Sequence, residues 1–336
     1  MPESFLLLKA LKEKGVAPGP ELSKLLGISR AAVWKKVSRL REKGFVIEGG
    51  KSGYRLISRP ELSAEELSLL IPSKKIIYKP LVPSTNELAV QLAERGFINS
   101  QGAIIIADSQ SAGRGRLGRR WASPPGLNIY MSLLVRPPLP PLPPLPPRKG
   151  PLLAVAAAIA SALAIKARTG LPVRLKWPND LVANGKKIGG ILLELRSDPD
   201  RILFAVAGIG INVNARRRDF PKILRESATS ILIETGQKTD RASLIAAIEK
   251  EFEHWFYLLS AEKERGSAYN LKCIETILRT YRALSDTIGK RIAIHAEGRV
   301  FEGTAKDIDG EGRLLLSARN KVLRFTTGDV LMVRPK

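Results

Sequence analysis

The chain has 336 residues, 44% of them hydrophobic and 26% charged, an ordinary composition for a globular protein of two or three domains. Its 55 basic and 32 acidic residues leave a net charge of +23. Such an excess favours an anionic partner, namely nucleic acid, a nucleotide or an acidic protein, over a generally basic proteome. We expect no membrane span and no signal peptide, and the lone Cys273 excludes an internal disulfide. A reducing cytoplasm fits best.

The first sixty residues predict a winged helix-turn-helix. They hold 13 basic and 5 acidic residues. The short helix PELSKLLGI ends at Gly27, and Ser29 is placed to cap a second helix, RAAVWKKVSRLREKG, whose apolar residues share one face. FVIEGGKSGYRLI then predicts a strand, a glycine-rich turn and a strand.

The outer face of the second helix is basic, as in helices that enter the DNA major groove. The expected DNA contacts are Ser29, Arg30, Ala31, Trp34, Lys35 and Ser38. The alternative is a small helical domain used for protein contacts. The local excess of basic residues and the wing argue against that alternative.

A change of composition near residues 60–75 predicts a domain boundary. Beyond it, KKIIYKPLVPSTNELAVQLAERG predicts a strand, a proline-led turn and a helix. Ser84, Thr85 and Asn86 lie where the strand meets the helix. They can either cap the helix or bond a ligand's polar atoms, and both possibilities stay open.

The stretch SQSAGRGRLGRRW, residues 109–121, follows a buried-type strand and contains G-x-G-x-x-G. A dinucleotide-binding fold requires a helix directly after these glycines. Here Pro124-Pro125-Gly126 and a second strand, NIYMSLLV, follow instead, and the G-K-[ST] of a P-loop is absent. We therefore expect a strand, a mobile loop and a strand, with arginines able to close on phosphates. The alternative is a merely solvated basic loop.

The next segments predict a spacer and a core helix. The proline-rich RPPLPPLPPLPPRKGP is expected to be exposed polyproline II, serving as a spacer or a partner surface. LLAVAAAIASALAIKARTG is expected to be a buried helix that is too short for a membrane span.

A second dense motif follows in VRLKWPNDLVANGKKIGGILLEL. It predicts a strand, a turn and a hairpin around Asn184-Gly185, with Lys176 and Lys187 flanking that hairpin. The strand FAVAGIGINVN then ends in Asn212 and Asn214, which can bond the edge of a heterocycle.

Four motifs, GRGRLGRRW, KWPND, KKIGGILLE and GIGINVN, occur in the order and spacing of the bacterial biotin protein ligases. The N-terminal SRAAVWKKV and GKSGYRL resemble the bifunctional members, which also repress the biotin operon. The resemblance covers essentially the whole chain. It departs from the family at residues 137–147, where family members place an interface loop used in homodimerisation.

The resemblance implies an α+β protein with three domains. These are a winged helix-turn-helix DNA-binding domain (1–60), a central mixed-sheet α/β ligase domain similar to class II synthetases (75–285) and a small SH3-like β-barrel (286–336). The short strands beyond Gly289 are themselves typical of a small β module.

The resemblance also implies a reaction in two steps. Biotin's carboxylate attacks the α-phosphate of ATP, with Mg²⁺, giving biotinyl-5′-adenylate and pyrophosphate. A lysine of the biotin carboxyl carrier protein then attacks this mixed anhydride. Biotin is also the expected co-repressor, the biotin operator the expected DNA partner, and a ligand-dependent homodimer the expected assembly.

Site residues carry over by motif from the family. Biotin is expected at Ser84, Thr85, Asn86, Gln110, Arg114, Gly115, Arg116 and Lys187. The ATP and adenylate side is expected at Arg114, Arg116, Trp121, Lys176, Asn179 and Asn212. Lys187 and Arg116 are expected to act on the reacting phosphate, with Lys187 as an electrostatic clamp rather than a nucleophile. Asp180 is either a metal contact or a structural turn residue.

Two other functions remain open at this point. One is an acyl-adenylate ligase of the same fold for another acid, such as lipoate. The other is a ligand-sensing DNA-binding regulator with little catalysis. The winged helix together with GRGRLGRRW and KWPND favours biotin.

Overall fold

The computed structural model describes residues 3–97, 102–136, 145–260, 267–296, 298–319 and 321–332. The chain forms two compact units, one made of Met1–Tyr78 with Asp240–Ala246 and the other of Lys79–Thr239 with Ala247–Lys336. The predicted boundaries 1–60, 75–285 and 286–336 stay predictions. Residues 137–144 of the predicted proline-rich run lie outside the described residues. The end of the run was wrongly predicted to be exposed polyproline II, because Leu145 is buried, Pro147–Lys149 form a 3₁₀ turn and a helix begins at Gly150.

The elements follow in chain order. The first are α1 (Glu3–Lys14), β1 (Val16–Ala17), α2 (Gly19–Leu26), α3 (Arg30–Glu42), β2 (Val46–Gly50), β3 (Gly53–Ser58) and α4 (Ala64–Leu70). Next come β4 (Lys75–Val82), α5 (Thr85–Glu94), β5 (Ala103–Gln110), β6 (Ile129–Val135), α6 (Gly150–Thr169), β7 (Arg174–Lys176), β8 (Asp180–Ala183), β9 (Lys186–Ser197) and β10 (Ile202–Ile211). The last are α7 (Ile231–Thr235), α8 (Arg241–Ser260), α9 (Ser267–Leu284), β11 (Arg291–Ala296), β12 (Arg299–Ile308), β13 (Leu314–Ala318), β14 (Lys321–Phe325) and β15 (Asp329–Met332).

The N-terminal unit contains the predicted helix-turn-helix and wing. Gly27 ends α2 in the left-handed conformation, and the Ser29 side chain caps α3 by accepting from the Ala32 amide at 3.2 Å. The strands β2 and β3 form an antiparallel hairpin, with β1 added to it in the order β1-β3-β2. Because the apolar faces of α1, α2 and α3 meet over this sheet, the unit has its own core.

The central sheet has seven strands in the order β4-β5-β6-β10-β9-β8-β7. The pairs from β5 to β7 are antiparallel. At the other edge, the Ser111 amide donates to Val82 and the Ala112 amide to Pro83, so β4 and β5 end side by side after the crossover through α5. This is the arrangement of a parallel β-α-β unit, and the sheet is therefore mixed, as predicted.

Helix α6 forms the centre of the core. The stretch Pro147–Thr169 is long and apolar enough to cross a membrane by length and composition, but 72% of its apolar window is buried inside the protein. It packs against β9, β10 and α9. The prediction of a core helix is therefore confirmed.

The KWPND hairpin also forms as predicted. Asn184 and Gly185 both have positive φ, at 46° and 75°, between the paired strands β8 and β9. Two consecutive positive φ values are what a two-residue hairpin turn requires, and asparagine and glycine are the residues that adopt them most readily. The turn places Lys187 on the returning strand, opposite Val182.

The C-terminal segment forms a five-stranded sheet in the order β14-β13-β12-β11-β15. The predicted SH3-like barrel is not closed, because β14 and β15 lie at opposite edges and have no ladder between them among the described residues. The edge strand β15 has only four residues, and these pair with β11 alone. Cys273 is a buried free thiol on α9, as expected.

The first prediction compares two leucines of the same helix. Leu22 is 1% exposed and Leu25 is 50% exposed on α2. Leu22→Ala should reduce the stability of the N-terminal unit by roughly 2–5 kcal/mol, because it leaves a cavity in the core. Leu25→Ala is the matched control and should stay within about 0.5 kcal/mol of the parent. Urea unfolding followed by circular dichroism measures both, and equal losses would contradict the assigned core.

Candidate functional site

One pocket of about 410 Å³ gathers the sequence-predicted ligand residues. Its walls include every residue assigned above to a small ligand: Ser84, Thr85, Asn86, Gln110, Arg114, Gly115, Arg116, Trp121, Lys176, Asn179, Asp180, Lys187 and Asn212. The pocket is formed by the end of β5, the loop that follows it, the strands β8 to β10 and the start of β15. Residues more than a hundred positions apart therefore meet at one site.

The inner wall of the pocket is a network of neutral polar groups. Gln110 Oε1 accepts from the Thr85 amide at 2.8 Å, and Gln110 Nε2 donates to Ser123 Oγ at 3.0 Å. Ser84 caps α5. Ser132, which the sequence analysis missed, lies 2.8 Å from Thr85 Oγ1 and 2.7 Å from Asn86 Oδ1. The network fixes these side chains before any ligand arrives, which suits recognition of a neutral polar ring.

Glu194 links this inner wall to the arginine-rich loop. Asn86 Nδ2 donates to Glu194 Oε1 at 3.1 Å, and Arg114 Nη2 lies 3.4 Å from the same oxygen. Glu194 itself is absent from the pocket wall. Its contacts with the pocket therefore run through Asn86 and Arg114. No sequence motif indicated a role for Glu194, because it follows an apolar strand segment.

The loop from Ser111 to Trp121 closes on itself. The Trp121 amide donates to the Gly113 carbonyl at 2.8 Å, and the Gly115 amide donates to the Arg119 carbonyl at 2.7 Å. A side chain at position 113 would lie 2.5 Å from the Trp121 carbonyl, so this glycine allows the close approach. A single 3₁₀ turn, Arg116–Gly118, is the only helix between β5 and β6. The strand–loop–strand prediction is confirmed.

The tip of this loop reaches the C-terminal sheet. Arg116 Nη1 donates to Asn179 Oδ1 at 3.2 Å and to the Gly328 carbonyl at 3.3 Å. Arg119 forms an ion pair with Asp329. Burial lowers the pKa of the Arg116 guanidinium, against the opposing effects of Asp329 and Asp180. A guanidinium stays charged under these conditions, so the pocket contains a partly desolvated cation.

Lys187 lies between an acid and an aromatic ring. Its Nζ is 2.5 Å from Asp180 Oδ1 and 5.6 Å from the centre of the Trp121 ring. The Trp121 indole packs against the backbone of Gly210, where a side chain would not fit because its Cβ would lie 2.7 Å from the indole. The indole N–H is buried and has no hydrogen-bond partner among the described residues. The lysine thus projects its charge into the pocket from a fixed position.

The two candidate asparagines are already engaged with the protein. Asn179 donates to the Ile191 carbonyl at 2.7 Å, and Asn212 donates to the Thr229 carbonyl at 2.9 Å. Each keeps a structural role, and a heterocycle would have to use what remains of their hydrogen-bonding capacity. Lys176 is a half-buried residue of the same wall.

A metal site made only of protein ligands is not found, because no group of three or more His, Cys, Asp or Glu side chains forms a cluster in the described ranges. Asp180 is a single carboxylate, and its Oδ1 is bonded to Lys187. A magnesium ion carried on phosphates needs only one or two protein carboxylates. Asp180 therefore fits such an ion as a supplementary ligand.

The DNA-binding candidates lie on α3 of the N-terminal unit and at its N-cap, Ser29. Ser29, Arg30, Ala31, Trp34 and Lys35 are exposed, Trp34 by 56%, and Ser38 is half-buried. Val33, Val37 and Leu40 are buried on the opposite face, as predicted. The helix therefore presents a basic face with one exposed indole.

Comparisons with known proteins agree with this arrangement. The chain matches the biotin/lipoate A/B protein ligase family over residues 78–214, an HTH domain over 4–55 and the biotin protein ligase C-terminal domain over 287–333. A bifunctional ligase/repressor BirA of Bacillus spizizenii is 36% identical over 318 residues, covering 93% of this chain and 92% of that protein. The Escherichia coli protein of the same name is 30% identical over 323 residues, covering 93% and 91%.

A solved structure is also similar. It is a biotin protein ligase from Aquifex aeolicus in complex with biotin and ATP, at 27% identity and a TM-score of 0.61, and the match covers 78% of this chain and 100% of that one. The chain belongs to the biotin/lipoate A/B protein ligase family and has the HTH domain and C-terminal domain of its bifunctional ligase/repressor relatives.

Proposed function

We propose that the chain is an ATP-dependent biotin–protein ligase that also represses the biotin operon. The observation that carries this proposal is one pocket that combines neutral polar groups with cations. Neutral polar side chains line it around Thr85 and Gln110, and the cations Arg114, Arg116 and Lys187 line the same pocket. Such a pocket suits a ligand with a neutral ring at one end and an acid that meets a phosphate at the other.

The first step joins two anions, so positive charge must already be in place. An oxygen of the biotin carboxylate attacks the α-phosphorus of ATP and forms a new P–O bond. The bond from the α-phosphorus to the bridging oxygen breaks, and pyrophosphate leaves. Arg116 and Lys187 stabilise the negative charge that accumulates on the phosphate oxygens, as preorganised cations do in other phosphate-transfer sites. Mg²⁺ supplies further charge neutralisation on the phosphates when it is bound, with Asp180 as its supplementary protein ligand.

The second step transfers the biotinyl group. The uncharged amine of an acceptor lysine on the biotin carboxyl carrier protein attacks the carbonyl carbon of the mixed anhydride, and AMP leaves. Lys187 is a clamp in this step, since its ion pair with Asp180 suits the cationic form and not a nucleophile. The loop around Arg114 excludes water from the anhydride when it closes.

The repressor activity belongs to the N-terminal unit. Helix α3 enters the major groove of the biotin operator, with its N-terminal residues at base edges and its lysines at phosphates. Biotin acts as co-repressor through a ligand-dependent homodimer. The protein works in the cytoplasm, where both the operator and the carrier protein are found.

The central test is an acceptor-labelling assay with ATP, Mg²⁺, labelled biotin and a carrier domain. Lys187→Ala should reduce adenylate formation about 10²–10³-fold, because a preorganised cation at the reacting phosphate is lost. Lys186→Ala is the matched control, as its side chain lies outside the pocket wall. Wild-type protein that leaves the carrier unlabelled contradicts the ligase assignment. Competition with lipoate distinguishes a lipoate-type ligase, and binding of operator without any turnover indicates a regulator.

A second prediction concerns Glu194, which holds Asn86 and Arg114 together. Glu194→Gln keeps an acceptor for Asn86 but loses the charge that holds Arg114. In the absence of ligand, trypsin should cut the loop up to about fivefold faster, because the loop loses the ion pair that holds Arg114. A fivefold change corresponds to about 1 kcal/mol, the upper range for a half-exposed ion pair. The KM for biotin should change little. Mass spectrometry of the loop peptides gives the rate.

Glu194→Ala completes that comparison. It removes both contacts, so the KM for biotin should rise by roughly tenfold, about the cost of leaving one N–H of the buried Asn86 side chain unpaired, while the other still donates to the Leu192 carbonyl. If both variants raise the KM for biotin equally, Glu194 acts through Arg114 alone.

A third prediction concerns DNA. Lys35 is an exposed cation of α3, and Lys35→Ala should weaken binding to operator and to unrelated DNA alike while lowering the salt slope of binding by about 1. Lys9→Ala, an exposed cation of α1, is the control. Fluorescence anisotropy at several salt concentrations gives the slopes. A loss confined to operator DNA would show that Lys35 contacts a base rather than a phosphate.

A further inference from the structure

The segment of residues 215–228, here named the basic rim, lies directly beside the proposed reaction centre. It follows β10 and turns back towards β9. The Lys187 amide donates to the Ser227 carbonyl at 2.8 Å, and the Thr229 amide donates to the Lys187 carbonyl at 2.9 Å. The end of the basic rim is therefore held by the backbone of the residue proposed to clamp the phosphate.

The basic rim has two chemically distinct faces. The inner face forms part of the pocket wall through Ala215, Asp219, Phe220, Leu224, Ser227 and Ala228. The outer face is exposed and carries Arg216, Arg217, Arg218, Lys222 and Ile223. Ile223 is 88% exposed, the largest exposed fraction of any large hydrophobic side chain among the described residues.

The outer face keeps an excess of positive charge. The basic rim contains five basic and two acidic residues, a net charge of +3. Both acids are bonded within the segment: Asp219 accepts from the Arg216 amide at 2.8 Å, and Glu226 pairs with Arg217. The hydrogen bond from Arg217, and the nearby charge of Lys186, lower the pKa of Glu226. Arg216 and Lys222 form no ion pair within the described part of the chain.

We propose that the basic rim is the docking surface for an acidic protein domain, the domain that carries the acceptor lysine. This inference rests on the proposed ligase function, since that function requires a foreign lysine to reach the neighbourhood of Lys187. Charge complementarity selects an acidic partner, because surface cations around a site speed the encounter with an oppositely charged protein.

The chemistry of the two faces separates this partner from the other anions. A triphosphate in the pocket would meet the inner face, where the basic rim offers apolar and hydroxyl side chains and one carboxylate. Nucleic acid is recognised mainly by cations and, in single strands, by aromatic rings. The outer face of the basic rim exposes no aromatic ring, because Phe220 is buried. An exposed aliphatic side chain surrounded by charged residues fits a protein–protein contact, in which an apolar centre is bordered by a polar rim.

The test separates the two half-reactions. The triple variant Arg216→Glu, Arg218→Glu and Lys222→Glu is compared with Lys166→Glu, Arg168→Glu and Arg279→Glu, which makes the same change of net charge at exposed positions outside the pocket wall. Adenylate formation is measured by pyrophosphate release. Transfer is measured in single turnovers from preformed adenylate to the biotin carboxyl carrier domain, at low and high ionic strength.

The rim variant should form adenylate within about twofold of the wild type. Its kcat/KM for the carrier domain at low ionic strength should fall on the order of tenfold or more and lose its salt dependence. The control variant should keep both. Ile223→Ala should raise the KM for the carrier severalfold at every ionic strength, because it removes an apolar contact.

Three outcomes overturn the inference. If adenylate formation falls in step with transfer, the basic rim serves the nucleotide. If transfer is unchanged while operator binding is lost, its partner is nucleic acid. If the control variant loses as much transfer as the rim variant, overall charge and not this surface attracts the carrier. Wild-type protein that makes no adenylate refutes the proposed function itself, and the docking surface with it.

Discussion

Positive charge gathered around a half-buried pocket must be balanced while the pocket is empty, and three cations of this pocket are each paired with one acid. Lys187 pairs with Asp180, Arg114 with Glu194, and Arg119 with Asp329. An incoming phosphate competes with carboxylates that already hold the cations close to where they act. The cations are therefore positioned before the ligand arrives, so little reorganisation remains for the reaction itself.

Two glycines of β10 form a part of the pocket wall where a side chain would not fit. On β10, a Cβ at Gly208 would lie 2.2 Å from Asn86 Oδ1, and one at Gly210 would lie 2.7 Å from the Trp121 ring. These two glycines let a polar amide and an indole lie flat against the strand. The same strand thus supports both the neutral and the charged part of the pocket, which fixes the distance between them.

Much of the architecture could be predicted because it follows from local rules. Hydrophobic spacing and the Ser29 cap predict α3, and Asn184-Gly185 predicts the hairpin that positions Lys187. Pro124 and Pro125 exclude the helix that a dinucleotide site would need. The sequence motifs also predicted a part of the pocket wall from segments far apart in the chain, but none of the wall residues within 215–228.

What could not be predicted depends on contacts between segments. Ser132 and Glu194 are single polar residues within apolar strands, and only the pairing of β6, β10 and β9 brings them to Asn86. The open edge of the C-terminal sheet depends on how far β15 pairs, which composition does not determine. The hydrogen bond from Arg116 to Asn179 joins positions 63 residues apart, and no local sequence pattern indicates it.

The contacts of the arginine-rich loop with Gly328 and Asp329 have a thermodynamic consequence. A ligand that draws Arg116 and Arg119 away from these partners changes the free energy of the turn leading into β15. By reciprocity, any event that strengthens or loosens that turn changes the affinity of the loop for its ligand by the same factor. If ligand binding moves these arginines, the stability of the C-terminal sheet therefore differs between the filled and the empty pocket.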